Sequence, residues 1–266
     1  MFDSFIITFR EGFEMALVVS LLLAATKGTT DSKKWILGGT GIGLVISLTL
    51  GVMALSSDFI SSLIQNKITN FLILIFAATL IAYTVIWMKI QGRKMATDIK
   101  EKVNAGNAVK SLGLVALLTI VREGAEIVLF TLGLMANDNS IGTINIAIGA
   151  LGGAVSAGII GVMMYLGLIR VNISKVFNTF SFLMTFLAAG MYANAVSKLV
   201  KAKYLTLGSF QVWDTSAYFD HHSNPIALFA HVIFGYAEKP YMIQIITYIA
   251  ALVIIFSMSS HISKKA

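Results

Sequence analysis

Residues 10–24 read REGFEMALVVSLLLA and residues 122–136 read REGAEIVLFTLGLMA; seven of the fifteen positions are identical. Each copy sets three charged residues inside a run that is otherwise apolar. On a helix turning about 100° per residue, with Arg10 as origin, Glu14 lies at roughly 40° and Glu11 at about 100°, so the three charges share one face. Arg122, Glu123 and Glu126 share a face in the same way.

The rest of the chain has the same character. It has 266 residues, of which 57% are hydrophobic and only 12% charged, against about a quarter charged in soluble domains. That is too little charge to cover a surface facing water, so the chain belongs in a bilayer. Seven spans are predicted, at residues 4–26, 35–57, 68–88, 111–135, 141–169, 176–197 and 241–260. Each is long enough for a hydrocarbon layer of about 30 Å at about 1.5 Å per residue. The first is expected to stay as a span, not to be cleaved as a signal peptide, because it has no basic leader and Arg10, Glu11 and Glu14 interrupt its apolar run. The absence of cysteine excludes disulfides, thiolate metal sites and iron–sulfur clusters.

The repeat extends beyond the charged motif. GTGIGLVISLTLGVM at 39–53 aligns with GALGGAVSAGIIGVM at 149–163, sharing Gly39/Gly149, Gly43/Gly153, Val45/Val155, Gly51/Gly161 and the closing Val-Met pair. Spans three and six match weakly, through Phe76/Phe186 and Ala78/Ala188. Three spans per copy is an odd number, so the second copy enters the membrane inverted, the plan common among secondary transporters. The expected fold is therefore all-α: a polytopic membrane protein with seven transmembrane helices, a 3+3 inverted repeat and one extra C-terminal helix. A single transmembrane domain covers 1–266, with repeat one at 1–88, repeat two at 111–197, an outer loop at 198–240 and the extra span at 241–260.

Sidedness follows from the cations. The loops after spans one, three and five and the C-terminal tail hold thirteen Lys and Arg, and the opposite side holds five. The positive-inside bias then puts the N-terminus outside and the C-terminus in the cytoplasm. The formal charge of +7 is thus a matter of loop sidedness, and no nucleic-acid partner is expected. The basic segment 89–110 is either a solvated linker or a helix lying on anionic headgroups.

An ionised residue at the bilayer centre costs about 3 kcal/mol, so the six motif charges must face one another or a wet cavity. Four carboxylates and two guanidiniums leave a formal charge of −2 if all are ionised, which protonation or a bound cation relieves. Hard oxygen ligands suit iron, manganese, magnesium or calcium. The alternative is that each arginine neutralises its glutamate at i+4 and holds the bundle together, but glutamates outnumber arginines two to one in both copies. One glutamate per motif is expected to be oriented by arginine and one left for a metal ion, with Glu14 and Glu126 as the latter. Gly12, Gly124, Gly39, Gly43, Gly149 and Gly153 read as points of close helix approach. The twelve methionines read as core filler. In the outer loop, Asp214, Asp220, His221 and His222 could capture a metal at the outer mouth or form a solvated turn. Residues 225–234 are apolar but too short to span, with a helix start at Asn224-Pro225.

The paired Arg-Glu-Gly-x-Glu motifs at 10–14 and 122–126, in spans one and four of seven, resemble those of the iron permease family that includes the fungal high-affinity iron permease and the bacterial EfeU proteins. The resemblance covers nearly the whole chain. It implies import of iron across the plasma membrane, in a bacterium the inner membrane, with Glu11, Glu14, Glu123 and Glu126 as metal ligands and Arg10 and Arg122 as motif partners. Iron would be the substrate, ferrous or ferric, and no haem is implied. It also implies seven helices with the N-terminus outside, and a partner that is a ferroxidase or a periplasmic iron-handling protein; a homo-oligomer is a further expectation. The chain departs from the family in carrying Phe13 and Ala125 where leucine is usual. Alternatives are a permease for lead or manganese and, in another class, a membrane electron-transfer subunit. The latter would need histidines inside the spans, and none of the four lies in spans one to six. An intramembrane hydrolase would need a base that these spans lack, so the chain is read as a transporter and not an enzyme.

Overall fold

The computed structural model describes residues 2–26, 30–56, 62, 65–104, 109–137, 143–167, 173–216, 218–219 and 225–265. Among the described residues the chain is helical, with one isolated antiparallel bridge between Gln211 and Tyr241. The helices are α1 (Phe2–Ala25), α2 (Thr30–Leu55), α3 (Lys67–Asn104), α4 (Val109–Asn137), α5 (Thr143–Tyr165), α6 (Ile173–Lys201), α7 (Pro225–Phe234) and α8 (Met242–Lys265). Seven of these are 23 residues or longer, and α7 is the short apolar segment expected from the sequence. Both prolines stand at helix starts: Pro225 opens α7 and Pro240 precedes α8, where a missing N–H costs no intrahelical bond.

Among the described residues five helices are long and apolar enough to cross a membrane: Asp31–Ala54, Lys67–Trp87, Ile144–Tyr165, Lys175–Lys201 and Met242–His261. The two motif helices, α1 and α4, fall outside this set because each carries three charges in its motif. The polarity pattern is inside out relative to a soluble protein. Leu48 is 67% exposed and Val253 61%, while Arg10 and Glu11 are at most 1% exposed. Apolar side chains on the outside and charges in the interior suit a lipid surround. Hydroxyls on the helices bond to their own backbone one turn earlier, as Thr40 does to Ile36 O, Thr49 to Val45 O and Ser156 to Gly152 O, each at 2.8 Å.

The boundaries differ from expectation in two places. Helix α3 runs on through Asn104, past the expected span end near 88, because nine of the sixteen residues 89–104 are Lys, Arg, Gln, Glu, Ala or Met, which favour helix over an irregular linker. Helix α6 extends to Lys201, closed by a left-handed Lys203 and by bonds from Lys203 N to Val200 O and Tyr204 N to Leu199 O.

The chain forms two compact units. The first comprises residues 1–57, 91–131 and 141–174, the second 58–90, 132–140 and 175–266. In the first unit α1 packs on α5 and α2 on α4, each pair at glycine. A Cβ on Gly12 would lie 2.9 Å from Ala157 Cβ, and one on Gly153 would lie 2.6 Å from Phe5 O. Across the other pair, Gly43 faces Ile120 and Leu117 O, Gly39 lies against the Gly113 backbone, and Gly124 lies against Ser47. A core of Val18, Leu22, Ile36, Leu112 and Ala116 joins α1, α2 and α4. In the second unit α3 meets α6 through Thr79 Oγ1 and the Tyr192 hydroxyl, 2.7 Å apart, and Gly190 lies against the left-handed Gly235.

Candidate metal-ion site in the first unit

The motif residues of α1 and α4 lie in the same compact unit, and the glycine at the centre of each motif lets it approach a helix of the other sequence half. Gly12 faces Ala157 on α5, and Gly124 faces Ser47 on α2. Ser47 Oγ bonds both to Gly43 O at 2.9 Å and to Ile120 O at 3.1 Å, so it ties α2 to the turn of α4 just before Arg122. Ser47 escaped the sequence reading because a serine in an apolar run carries no local signal of a partner 73 residues away.

Within α1, the Arg10 guanidinium donates to Glu11 Oε1, and through Nη2 to Glu14 Oε1 at 3.0 Å. All three side chains are buried. Within α4, Arg122 donates to Glu123 Oε1 from Nε at 3.1 Å and Nη2 at 2.6 Å, and its Nε is 3.6 Å from Glu126 Oε1. The two motifs are thus alike in pairing and unlike in burial: the Arg122 side chain is 47% exposed and that of Arg10 is 2%.

Glu11, Glu123 and Glu126 each place a carboxylate oxygen within 4.8 Å of the others. The same three residues each have an Oε1 on an arginine and a buried Oε2 with no hydrogen-bond partner. A buried carboxylate oxygen without a donor is costly in a low-dielectric interior, and three together repel one another. A cation meets all three needs at once. Oxygens held about 2.1–2.5 Å from a hard cation sit roughly 3 Å apart when adjacent and up to 5 Å apart when opposite, so a 4.8 Å separation already falls within a coordination sphere. The arginines hold each carboxylate by one oxygen and leave the other without a hydrogen-bond partner.

Glu14, expected to be left for a metal ion, pairs with Arg10 through Oε1 at 3.0 Å. Among the described residues the three-carboxylate group contains Glu11 and not Glu14, although the Arg10 guanidinium reaches both. Thr8 Oγ1, one turn before Glu11, is buried and has no hydrogen-bond partner. A buried threonine reads as ordinary helix filler in the sequence, and only its missing i−4 bond marks it out.

In the loop between α6 and α7, Asp214 is fully engaged. Its Oδ1 accepts from Ser216 N at 3.1 Å and Ser216 Oγ at 2.6 Å, and its Oδ2 pairs with Lys239 Nζ at 2.9 Å. The Ser216 hydroxyl bond, followed by Lys239, holds its carboxyl down at about 2. Asp220, His221 and His222 lie outside the described residues. The second unit carries a polar chain that sequence reading passed over: Asn194 Nδ2 to Asn137 Oδ1 at 3.0 Å and Gln244 Nε2 to Asn194 Oδ1 at 3.1 Å, joining α4, α6 and α8.

The family model described as the iron permease FTR1 family matches residues 1–262. The chain is 29% identical over 269 aligned positions to a ferrous iron permease EfeU of Yersinia pestis, covering 96% of this chain and 93% of that protein. It is 30% identical to the ferrous iron permease EfeU of Escherichia coli O6:K15:H31 strain 536, covering 90% and 88%. It is also 30% identical to a protein of Escherichia coli K12 described as a putative inactive ferrous iron permease EfeU. No solved structure matches this one significantly. With a family match that spans both charged motifs and nearly the whole chain, this multi-pass helical protein belongs to the iron permease FTR1 family.

Proposed function

We propose that this chain is a secondary transporter that imports iron ions across the membrane, binding the ion between its two Arg-Glu-Gly-x-Glu motifs. The observation that carries the reading is the meeting of Glu11, Glu123 and Glu126 within 4.8 Å, each with a buried, unpartnered oxygen. Arg10 and Arg122 orient the carboxylates, and Glu14 balances the charge of Arg10. With the ion gone, the carboxylates need another cation or a proton, so uptake is coupled to refilling the site.

The contacts of the first unit support an inverted repeat. An offset of about 110 carries Gly43 to Gly153 and Ser47 to Ala157, and one of 112 carries Gly124 back to Gly12. The Gly12–Ala157 approach on one pair of helices thus has Gly124–Ser47 as its counterpart on the other, and Gly153 against Phe5 has Gly43 against Leu117. Alternating access follows when such halves rock about a shared site. The exposure of Arg122 beside the burial of Arg10 fits a conformation open toward α4 only. The N-terminus outside and the C-terminus inside follow from loop charge, and the relatives named as ferrous iron permeases make ferrous iron the first ion to test. A ferroxidase or a periplasmic iron-handling protein would supply or accept the ion outside.

The test is uptake of radiolabelled iron into liposomes holding the purified protein, with and without reductant, beside Glu11→Gln and Glu123→Gln. Uptake that needs reductant and is lost in both variants is the expected result. Wild-type uptake of manganese or lead with none of iron would replace the substrate. Full iron uptake in both variants would remove the carboxylate site from the mechanism.

A further inference from the structure

The segment that follows α6 is held at a definite depth. Phe210 O accepts Met242 N at 3.1 Å and Gly208 O accepts Ile243 N at 3.2 Å, and these two donors open the membrane-length helix α8. At its other end the segment leaves the Lys203 cap of α6, whose candidate span ends at Lys201. Residues 204–213 are therefore fixed at the ends of two spans, where a bilayer passes from hydrocarbon to headgroup. Further bonds from Val212 N to Pro240 O at 3.0 Å, Thr215 N to Glu238 O at 3.1 Å and Trp213 Nε1 to Ala237 O at 3.2 Å keep the segment from folding inward.

The side chains it presents are large and apolar. Leu207 is 76% exposed, Tyr204 63%, Phe210 62% and Trp213 42%. Below them, Ile246, Ile249 and Val253 continue the exposed apolar surface down α8. Lys201 and Lys203 are also exposed and Lys239 pairs with Asp214, so with Glu238 counted these five side chains leave a formal charge of +1. Aromatic and aliphatic groups at headgroup depth with lysines beside them match the amphipathic residues that anchor proteins at a bilayer surface.

From this we infer that residues 204–213 form an interfacial anchor lying in the headgroup layer and taking anionic lipid. Continuity with the apolar face of α8 and the positive charge favour lipid over a second copy or a soluble protein as the occupant.

Trp213 reports on this directly. With Trp35→Phe and Trp87→Phe, the chain is placed at high lipid-to-protein ratio in vesicles of phosphatidylcholine, alone or mixed with phosphatidylglycerol. Some of the acyl chains are brominated, either near the headgroup or near the terminal methyl. The expected result is stronger quenching by the shallow bromines than by the deep ones, weak quenching by aqueous iodide, and an increase with phosphatidylglycerol. Lys201→Glu with Lys203→Glu should raise the phosphatidylglycerol needed for half the effect by roughly fivefold or more. If the double tryptophan variant misfolds, the difference between wild type and Trp213→Phe gives the same signal. Iodide access equal to that of an indole in water overturns the anchor and leaves the face to a soluble partner. Quenching that follows protein density and not bromine depth assigns it to a second copy, and depth-graded quenching without lipid-charge dependence overturns the anionic preference.

Discussion

Substituting Gly12 by alanine tests the helix approach on which the site depends. The added Cβ would lie 2.9 Å from Ala157 Cβ, and the next neighbour, Ala154 Cα, is 3.9 Å away. Carbon atoms rest about 3.5–4.0 Å apart, so α1 and α5 must separate by roughly 0.6–1 Å or distort, at an overpacking cost of about 1–3 kcal/mol. The clash is with one methyl group, so Ala157→Gly should remove it. The double variant should recover most of the loss, giving an interaction energy of about 1–3 kcal/mol in a double-mutant cycle. Gly153→Ala is the control. Its Cβ would lie 2.6 Å from Phe5 O and 2.7 Å from Phe9 N, which are backbone atoms that no side-chain substitution can remove. Stability would be measured by reversible unfolding in mixed detergent micelles, and iron uptake would be followed in parallel, because Gly12 lies between Glu11 and Glu14. A Gly12→Ala variant as stable as wild type, or one that Ala157→Gly does not rescue, would refute this packing.

Three further outcomes are expected. Glu11→Gln and Glu123→Gln should each weaken iron binding at least tenfold, and Glu14→Gln less, since Glu14 is held by Arg10 and lies outside the three-carboxylate group; equal losses in a binding isotherm would contradict that order. In a chain without native cysteine, Arg122→Cys should react with a water-soluble thiol reagent far faster than Arg10→Cys, and equal rates would dissolve the difference in burial. Because the folded Asp214 carboxyl sits at about 2, below its ordinary value near 4, the support it gives the loop between α6 and α7 is complete above about pH 4 and fades as pH falls toward 2. Trp213 fluorescence should follow that acid limb and lose it in Asp214→Asn.

The sequence could be read a long way because lipid is an unforgiving solvent. A charged residue in a 20-residue apolar run has few places to go, so the two copies of Arg-Glu-Gly-x-Glu implied a shared interior before any coordinates. The glycines in and near the motifs pointed to close helix approach for the same reason, and Gly12, Gly43, Gly124 and Gly153 all meet a neighbouring helix. Other features left no such trace. The ordering of 204–216 rests on hydrogen bonds to residues 236–243 that no local pattern records, and the segment 89–104, which could be read as linker or helix, is settled as helix only in the structure.

The sequence by itself determined an all-helical chain built for lipid and the two charged arcs with their glycines, since periodicity and the cost of intramembrane charge act locally. Only the tertiary structure decided that Glu11 comes within 4.8 Å of Glu123 and Glu126, that Ser47 ties α2 to α4, and that Arg122 is exposed where Arg10 is buried. Those outcomes depend on which oxygen an arginine reaches and how closely two helices distant in sequence pack. Such distances are fixed by side chains meeting across the fold and not by the order of residues along one helix.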